Sequence, residues 1–225
     1  MSDRHAVVTG ASSGIGAAIA TRLLDDGWRV TGLSRSAPGA GITWLPADLA
    51  DTADLPGLLA DVDPVDAVVH AAGLQRTAPL GRLSASDGAA MWQVHVQAAT
   101  VLVDALASRI TDGGRVVLLG SRTASGVAGK SQYAATKAAL DGLARSWAAE
   151  LAPRRITVNV VAPGPTDTPM LRDPARATTP VVTPPLGRLI RASEVAALTA
   201  FLLGSDGGSI TGQSIVLCGG TSLPR

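Results

Sequence analysis

The chain has 225 residues, a formal net charge of +1 and a single cysteine, Cys218, and its length suits one well-buried α/β domain spanning residues 1–225. Charged residues make up only 16% and hydrophobic residues 46%, so we expect neither a nucleic-acid surface nor a disordered tail. One cysteine excludes an internal disulfide and a cysteine-rich zinc site, which fits a reducing compartment. Because no charged-then-apolar leader or long apolar stretch is visible, we expect a cytoplasmic protein with no membrane, nucleic-acid or metal partner.

Short β-branched runs alternate with longer Ala- and Leu-rich segments, the pattern of an α/β protein with a parallel sheet. We predict seven strands, at residues 5–9, 29–33, 43–46, 66–70, 115–119, 156–161 and 214–217. We predict helices between them, at about residues 14–26, 51–60, 84–110, 131–152 and 193–204. The expected fold is a single Rossmann-type doubly wound sheet with helices on both faces and ligands at the carboxyl ends of the strands.

Three residues are predicted to delimit helices. Ser84 and Ser193 are expected as N-caps, and Gly27 stands where a glycine commonly ends a helix. Residues 163–187 are rich in Pro and Thr, and we predict that they form a long substrate loop or lid.

A glycine-rich turn, Thr-Gly-Ala-Ser-Ser-Gly-Ile-Gly at residues 9–16, follows the first predicted strand. Its glycines let the backbone approach a pyrophosphate, while its serine hydroxyls and the N-terminus of the next helix face the phosphates. Three glycines can also form a purely structural turn, but the first βα junction of a parallel sheet favours a dinucleotide site. The predicted contacts are Gly10, Ser12, Ser13, Gly14, Ile15 and Gly16.

The end of the second predicted strand reads Leu-Ser-Arg-Ser at residues 33–36, where the adenosine ribose of a dinucleotide is bound. No acidic residue is present to bind a ribose 2′-hydroxyl, whereas Arg35 and Ser34 could bind a 2′-phosphate, which favours NADP over NAD. The alternative is that Arg35 is an ordinary solvated arginine after a strand. Asp48, after the third strand, can accept a hydrogen bond from the adenine amino group.

Tyr133 and Lys137 lie four residues apart on a predicted helix, and Ser121 follows the predicted strand 115–119. Lowering the pKa of a tyrosine from about 10 to about 7 requires roughly 4 kcal/mol. A unit charge at about 4 Å in an effective dielectric of about 20 supplies roughly that energy. Tyr133 could therefore transfer protons near neutral pH, although an exposed helix can also carry this spacing only to pack a lysine stem on a ring.

In this order, the motifs resemble the short-chain dehydrogenase/reductase family, in its single-domain branch with the Tyr-x-x-x-Lys motif. The resemblance also rests on His-Ala-Ala-Gly at 70–73, Asn159 and Pro-Gly-Pro-Thr-Asp-Thr-Pro-Met at 163–170. It runs over nearly the whole chain. It implies an NADP(H)-dependent oxidoreductase that interconverts a ketone or aldehyde and an alcohol by direct hydride transfer.

The same resemblance implies a role for each matching residue. Tyr133 is implied as the general acid/base, Lys137 as the group that binds the nicotinamide ribose and lowers the phenol pKa, and Ser121 as the residue that orients the substrate oxygen. Thr166 and Thr168 resemble the residues that fix the cofactor carboxamide and begin the substrate loop. Ala71, Gly73, Tyr133 and Lys137 complete the implied cofactor contacts.

Two positions depart from the family pattern. His95 stands where the family carries an asparagine that completes a proton relay through water. Imidazole can donate and accept, so His95 is a candidate relay residue, although it could also be a hydrogen-bonded helix residue that only fills space. The pair His70-Ala71 replaces two asparagines and could weaken cofactor binding.

The leading hypothesis is an enzyme acting on a small-molecule carbonyl or alcohol substrate. The alternatives are a catalytically silent dinucleotide sensor or scaffold and, with a larger substrate domain than this chain offers, an isomerase or lyase. Arg122, Arg172 or Arg176 could meet an anionic substrate group, although loop arginines are more often solvated. The Ala-rich helix at 131–152 suits close packing between subunits, so we expect a homotetramer or a homodimer.

Overall fold

A seven-stranded parallel sheet forms the centre of the protein, which a computed structural model describes at residues 4–173 and 180–223. The strands of this sheet and of a two-stranded parallel sheet are β1 His5–Thr9, β2 Arg29–Ser34, β3 Thr43–Pro46, β4 Val65–His70, β5 Ile110–Leu119, β6 Thr157–Pro163, β7 Thr166–Asp167, β8 Ile190–Arg191 and β9 Ser214–Leu217. The large sheet has the order β3-β2-β1-β4-β5-β6-β9, and β7 pairs with β8. The seven strands predicted from the sequence are confirmed.

Helices connect the strands and cover both faces of the large sheet. They are α1 Gly14–Asp25, α2 Leu55–Leu58, α3 Ala85–Trp92, α4 Ala98–Leu106, α5 Ser131–Leu151 and α6 Ala192–Leu203, with a π-helix at Gln93–Gln97 joining α3 to α4. The order reverses on either side of β1 and β4, as in a doubly wound Rossmann-type fold. The predicted fold class is confirmed.

Alternate residues of the five central strands, β2, β1, β4, β5 and β6, pack into two aliphatic cores, one on each face of the sheet. On one face, Leu102 of α4 and Leu140 of α5 are fully buried against Val68 and Val116. On the other face, α1 and α6 pack against side chains that point the opposite way from the same strands. Burial on both faces explains why the strands are continuous runs of Val, Leu and Ala.

The helix predicted at 84–110 was too long at its C-terminal end. Helix α4 ends at Leu106, and Ile110 already pairs with Val65 of β4. The register of β4 and β5 shifts between Val65 and Ala67, opposite a Gly-Gly pair that begins at Gly113, whose φ is +81°. Gly114 can only be a glycine, because a Cβ there would lie 2.8 Å from the Thr111 carbonyl oxygen.

The predicted helix caps were right at two of three positions. Ser84 accepts a hydrogen bond from the Asp87 amide at 3.2 Å, and Gly27 follows α1 with a φ of +79°. The prediction for Ser193 was wrong, because α6 is capped at Arg191. There the carboxylate of Glu194 accepts from the Arg191 amide at 2.9 Å.

The segment 163–187 is only partly within the described residues. It contains β7 and a 3-10 turn at Pro169–Arg172, and residues 174–179, which include Arg176, lie outside the described part of the chain. In residues 4–173 and 180–223, no helix combines the length and the apolar character needed to cross a bilayer.

Candidate active site

The glycine-rich turn folds tightly between β1 and α1. Gly10 and Gly14 have positive φ angles of +68° and +56°. A Cβ on Gly16 would lie 2.3 Å from the Gly10 carbonyl oxygen, and one on Gly10 would lie 3.0 Å from the Ala72 Cα. The turn is thus a cradle that side chains would fill, at the N-terminus of a helix, and this geometry fits a dinucleotide pyrophosphate.

The side chains of the turn leave polar groups available to a ligand. Ser13 is the N-cap residue of α1 but makes no capping bond, and within the described residues neither Ser12 nor Ser13 has a side-chain hydrogen bond. Ile15 extends from the turn to the wall of the neighbouring cavity. A phosphate at this turn would meet two free hydroxyls.

The loops after β2 and β3 adjoin the turn on the adenosine side. The Gly10 amide donates to the Leu33 carbonyl at 2.8 Å, which places the turn beside the end of β2. Arg35 is exposed, and its guanidinium has no partner in the described chain. The Ser34 hydroxyl donates to the Ser36 carbonyl at 2.8 Å, and exposed Asp48 accepts from the Ala50 amide at 3.0 Å. Of these three predicted contacts, Arg35 is the one whose side chain is wholly uncommitted.

The segment after β6 lies across the turn from the other side. Thr166 is buried and its hydroxyl donates to the Gly164 carbonyl at 3.0 Å. The side chain of Thr168 comes close to Gly14, where an added Cβ would lie 3.5 Å from the Thr168 Cβ. Thr166, Thr168 and Ile15 together line one cavity, so the structure places these predicted contacts around a common space.

Ser121 follows β5 and begins a 3-10 turn at Arg122–Ser125. Its Oγ accepts a hydrogen bond from the Thr123 amide at 3.1 Å. Since that bond uses a lone pair of Oγ, the hydroxyl hydrogen remains available for a ligand oxygen. Ser121 can therefore act as a fixed hydrogen-bond donor.

Tyr133 and Lys137 lie in the first two turns of α5 and are both buried, at 8% and 4% exposure. The Lys137 Nζ donates to the Leu119 carbonyl at 2.7 Å, which fixes α5 to the end of β5 two residues before Ser121. The same Nζ lies 5.9 Å from the centroid of the Tyr133 ring. Burial lowers the pKa of Lys137 to about 7, because a charged ammonium loses its hydration there.

His95 lies at the middle of the π-helix and is fully buried. Its Nε2 accepts from the Leu74 amide at 3.1 Å, so its hydrogen is on Nδ1, which donates to the Thr136 Oγ1 at 2.8 Å. Thr136 in turn donates to the Tyr133 carbonyl at 2.9 Å. The His95 ring also meets the Tyr133 ring edge-on, with centroids 5.5 Å apart. Burial, and then the charge of Lys137, lower the pKa of His95 well below its usual range.

Ser121 and Tyr133 line the same cavity as Thr166 and Thr168, with a volume of about 200 Å³. The cavity lies at the carboxyl ends of β5 and β6, where ligands bind in open parallel sheets. Ile15 of the glycine-rich turn, the threonine segment and the Ser-Tyr pair thus surround one space. This arrangement can hold a dinucleotide on one side and a small carbonyl compound on the other.

Comparison with known proteins assigns this architecture to a protein family. A family model described as enoyl-(acyl carrier protein) reductase matches residues 10–222. The chain is 36% identical over 234 residues to the 3-oxoacyl-(acyl-carrier-protein) reductase FabG of Salmonella typhimurium, with 96% of each protein covered. The chain belongs to the short-chain dehydrogenase/reductase family.

Two solved structures resemble this short-chain dehydrogenase/reductase along nearly their whole length. One is a short-chain dehydrogenase from Burkholderia cenocepacia in complex with NADP, with a TM-score of 0.86, 37% identity and 97% of each chain covered. The other is a blue fluorescent protein from a metagenomic library in complex with NADPH, with a TM-score of 0.87 and 35% identity, covering 97% of this chain and 98% of that one.

His70 and Ala71 are the second place where this short-chain dehydrogenase/reductase departs from the family pattern. They take part in a connected hydrogen-bond network. His70 donates through Nε2 to the Val94 carbonyl at 3.0 Å and accepts at Nδ1 from the Thr9 hydroxyl at 3.1 Å. The Thr9 Oγ1 also accepts from the amides of Ala71 and Ala72, at 3.0 and 3.1 Å. Burial lowers the pKa of His70 to about 3, so His70 is a neutral link between β1, β4 and the π-helix.

Sequence reasoning missed several polar residues of this site, among them Thr9, Gln75 and Lys130. Thr9 organises the segment that leads to Gly73, and its place at the start of the glycine motif was the available signal. Gln75 and Lys130 line the cavity, but no motif marks either residue. Their contribution depends on how the loop after β4 and the N-terminus of α5 meet in space, which sequence spacing does not give.

Proposed function

We propose that this protein interconverts a ketone or aldehyde and the corresponding alcohol by hydride transfer with NADP(H), with Tyr133 as general acid and base. The observation that carries the proposal is that Ser121 and Tyr133 line one cavity with Ile15, Thr166 and Thr168. The cavity therefore offers a hydroxyl pair for a reacting oxygen beside the segments that hold a nicotinamide cofactor.

NADP(H) is the cofactor, as in the solved relatives that carry NADP and NADPH. The proposed phosphate contacts are the glycine-rich turn and Arg35, whose free cation suits a ribose 2′-phosphate. Asp48, Ala71 and Gly73 are proposed for the adenosine side, and Thr166 and Thr168 for the carboxamide. When bound, the cofactor supplies or accepts the hydride.

In the reductive direction, the Ser121 hydroxyl donates to the carbonyl oxygen and fixes its position. Tyr133 gives its phenolic proton to the same oxygen as negative charge develops there. The Lys137 ammonium stabilises the phenolate that results, and its bond to the Leu119 carbonyl holds the charge in place. In the oxidative direction, the same groups take the proton from the alcohol.

His95 is proposed to position Tyr133 through Thr136, since both of its ring nitrogens are already hydrogen-bonded. A neutral imidazole with a strongly lowered pKa could take up a proton only by giving up the Leu74 contact. The geometry therefore supports a positioning role better than a proton relay. Leu74 and Thr136 then connect the loop after β4 to α5 through one ring.

NADPH consumption over a panel of small ketones and aldehydes tests the proposed function. We expect turnover of at least one class, and we expect removal of the Tyr133 hydroxyl to abolish most of it. A protein that binds NADPH but consumes none with any carbonyl compound would instead be a dinucleotide sensor or scaffold. The intact set of Ser121, Tyr133 and Lys137 favours the enzyme.

The assembly is part of the proposal. We propose one domain spanning residues 1–225, a cytoplasmic location and a homotetramer that pairs helices such as α5. Exposed apolar side chains on other elements, such as Trp92 and Phe201 at 49% and 44% exposure, suit further subunit contacts. Analytical ultracentrifugation of the full chain should give a mass of about four subunits, and a sole monomer peak would contradict the tetramer.

A further inference from the structure

The cavity wall includes one amide side chain, that of Gln75, which has no hydrogen-bond partner among the described residues. Gln75 is 6% exposed and lines the cavity. Its backbone carbonyl accepts from Arg76, but within residues 4–173 and 180–223 its side-chain amide has no hydrogen-bond partner. The amide atoms of Gln75 are not among the fully enclosed side-chain atoms that lack a partner, so the amide is open to the cavity and can form hydrogen bonds with a ligand there.

An arginine beside Ser121 lines the same cavity. The Arg122 Nε is enclosed by protein and has no hydrogen-bond partner, and in the described chain its guanidinium forms no ion pair. Lys130 also lines the cavity, and none of its described lining residues is an aspartate or a glutamate. Within the described lining, Arg122 is thus a cation with no acidic residue beside it on the cavity wall, which favours a negatively charged ligand.

We propose that Gln75 and Arg122 bind a carboxylate on the substrate, so that this enzyme acts on small oxoacids and the matching hydroxyacids. A guanidinium and a carboxamide together offer the donors that a carboxylate accepts. Val127, Leu171 and Val182 also line the cavity. Their apolar side chains then contact the carbon chain that joins the carboxylate of the substrate to its carbonyl group. A cavity of about 200 Å³ restricts that chain to a short one.

The inference rests on the proposed function and adds a substrate class to it. The carbonyl carbon receives a hydride from NADPH and the carbonyl oxygen a proton from Tyr133, while the carboxylate is chemically unchanged. Its contribution is to fix the distance between the carbonyl group and Ser121. A neutral ester of the same acid would lose the charge-assisted bonds and leave Arg122 unpaired.

The test compares kcat/KM for acetoacetate and levulinate with kcat/KM for their methyl esters, using NADPH. The wild-type protein should prefer the acids by about 10-fold or more. Gln75→Leu and Arg122→Met should reduce this acid-to-ester ratio by roughly 10- to 100-fold, mainly through KM of the acids. Arg82→Met is the matched control, since Arg82 is exposed and not a lining residue, and it should keep the wild-type ratio.

Preference for the esters, or an equal loss on acids and esters in both variants, would overturn the carboxylate site while the oxidoreductase assignment stands. If the wild-type protein reduces neither the acids nor the esters, the carboxylate site is tested by calorimetric titration of levulinate into the NADP-saturated protein. A dissociation constant about 10-fold higher in Arg122→Met would then still support the site. Equal dissociation constants in wild type and variant would reject it, whatever the chemistry of the enzyme.

Discussion

At the scale of single residues, Ser121 shows how a backbone contact prepares a side chain. The Thr123 amide donates to the Ser121 Oγ at 3.1 Å, and a hydroxyl that accepts such a bond directs its own hydrogen elsewhere. Ser121 and Tyr133 line one cavity. The donor is therefore set before a substrate arrives, which reduces the reorganisation needed during the reaction.

Lys137 carries a charge that depends on pH near neutrality. Its ammonium is buried and its pKa is lowered to about 7, so without a ligand it is charged in only part of the molecules at neutral pH. A bound polar cofactor that accepts hydrogen bonds from Nζ would raise this pKa, because hydrogen bonds to the charged form favour it. Cofactor binding and the charge of Lys137 are then coupled.

The role of Arg35 gives the first prediction. Arg35→Asp should raise the dissociation constant for NADPH by roughly 10- to 100-fold, because charge-assisted bonds to the 2′-phosphate are replaced by repulsion. The constant for NADH should change much less. Fluorescence titrations with both nucleotides measure the ratio, with Arg82→Asp as a surface control. A ratio that Arg35→Asp leaves unchanged would show that Arg35 does not read the phosphate.

At the scale of elements, the π-helix at Gln93–Gln97 joins the loop after β4 to α5. His70 binds the Val94 carbonyl within it, and His95 binds Leu74 on one side and Thr136 on the other. Gly73 lies close to this ring, since a Cβ there would be 3.1 Å from the His95 Nε2. A wide turn at a functional site is a common use of the π-helix.

The second prediction concerns this element. Thr136→Val removes the hydroxyl between His95 and the Tyr133 carbonyl at nearly constant volume. We expect kcat to fall by roughly 10- to 100-fold, as small misplacements of a catalytic group do. The acid limb of the pH profile of kcat should keep its midpoint, since His95 is neutral over the working range.

The control for that prediction is His95→Asn, which restores the side chain that the family carries at this position. A positioning role predicts partial activity with the same acid limb. If the acid limb instead shifts or disappears in His95→Asn, His95 titrates during turnover and acts as a relay.

Periodicity predicted the central strands well because each contains a short apolar run buried on both faces. It failed for the start of β5, where polar Asp112 and two glycines interrupt the run, and the strand continues only through a bulge against β4. It also failed for α6, where Glu194 folds back on the Arg191 amide and extends the helix by one residue beyond the predicted start. Both errors come from contacts that are specific in three dimensions.

The proposed catalytic triplet of Ser121, Tyr133 and Lys137 could be named from the sequence because these residues are marked by their type and spacing. The contacts that place them could not be predicted in this way. Lys137 and Leu119, which are bonded through the Leu119 carbonyl, lie 18 residues apart in the sequence. His95 and Leu74 lie 21 residues apart. Gln75 belongs to no motif, and it is marked only by its place on the cavity wall and by the lack of a side-chain partner among the described residues.

At the scale of the whole molecule, all three histidines of the chain are buried. The third, His5, contacts the Thr31 Oγ1 at 2.8 Å from its Nε2, and burial lowers its pKa as it does for His70 and His95. Each histidine binds a proton more readily in the unfolded chain, whose pKa is about 6.5. The unfolded state therefore takes up more protons below that pH, and stability falls as the pH falls.

The third prediction is that the free energy of unfolding decreases from pH 7.5 to pH 5.5. Each histidine adds at most about 1.4 kcal/mol per pH unit once the pH lies below 6.5. Urea titrations across this range measure the slope. His5 lies far from the cavity, and His5→Gln should reduce the slope of the unfolding free energy against pH by up to about 1.4 kcal/mol per pH unit, the contribution of one proton. A free energy that stays constant down to pH 5.5 would contradict the neutral state of the histidines.

The central claim is that Tyr133 transfers the proton in an NADP(H)-dependent reaction. The most direct measurement is the rate of NADPH oxidation in a single turnover with a reducible carbonyl substrate, comparing wild type with Tyr133→Phe, which removes only the hydroxyl. We predict that the variant still binds NADPH, which the fluorescence of the nucleotide measures. The oxidation of NADPH should slow by about 100- to 10,000-fold. A Tyr133→Phe protein that oxidises NADPH as fast as the wild type would contradict the proposed role of Tyr133 as the proton donor.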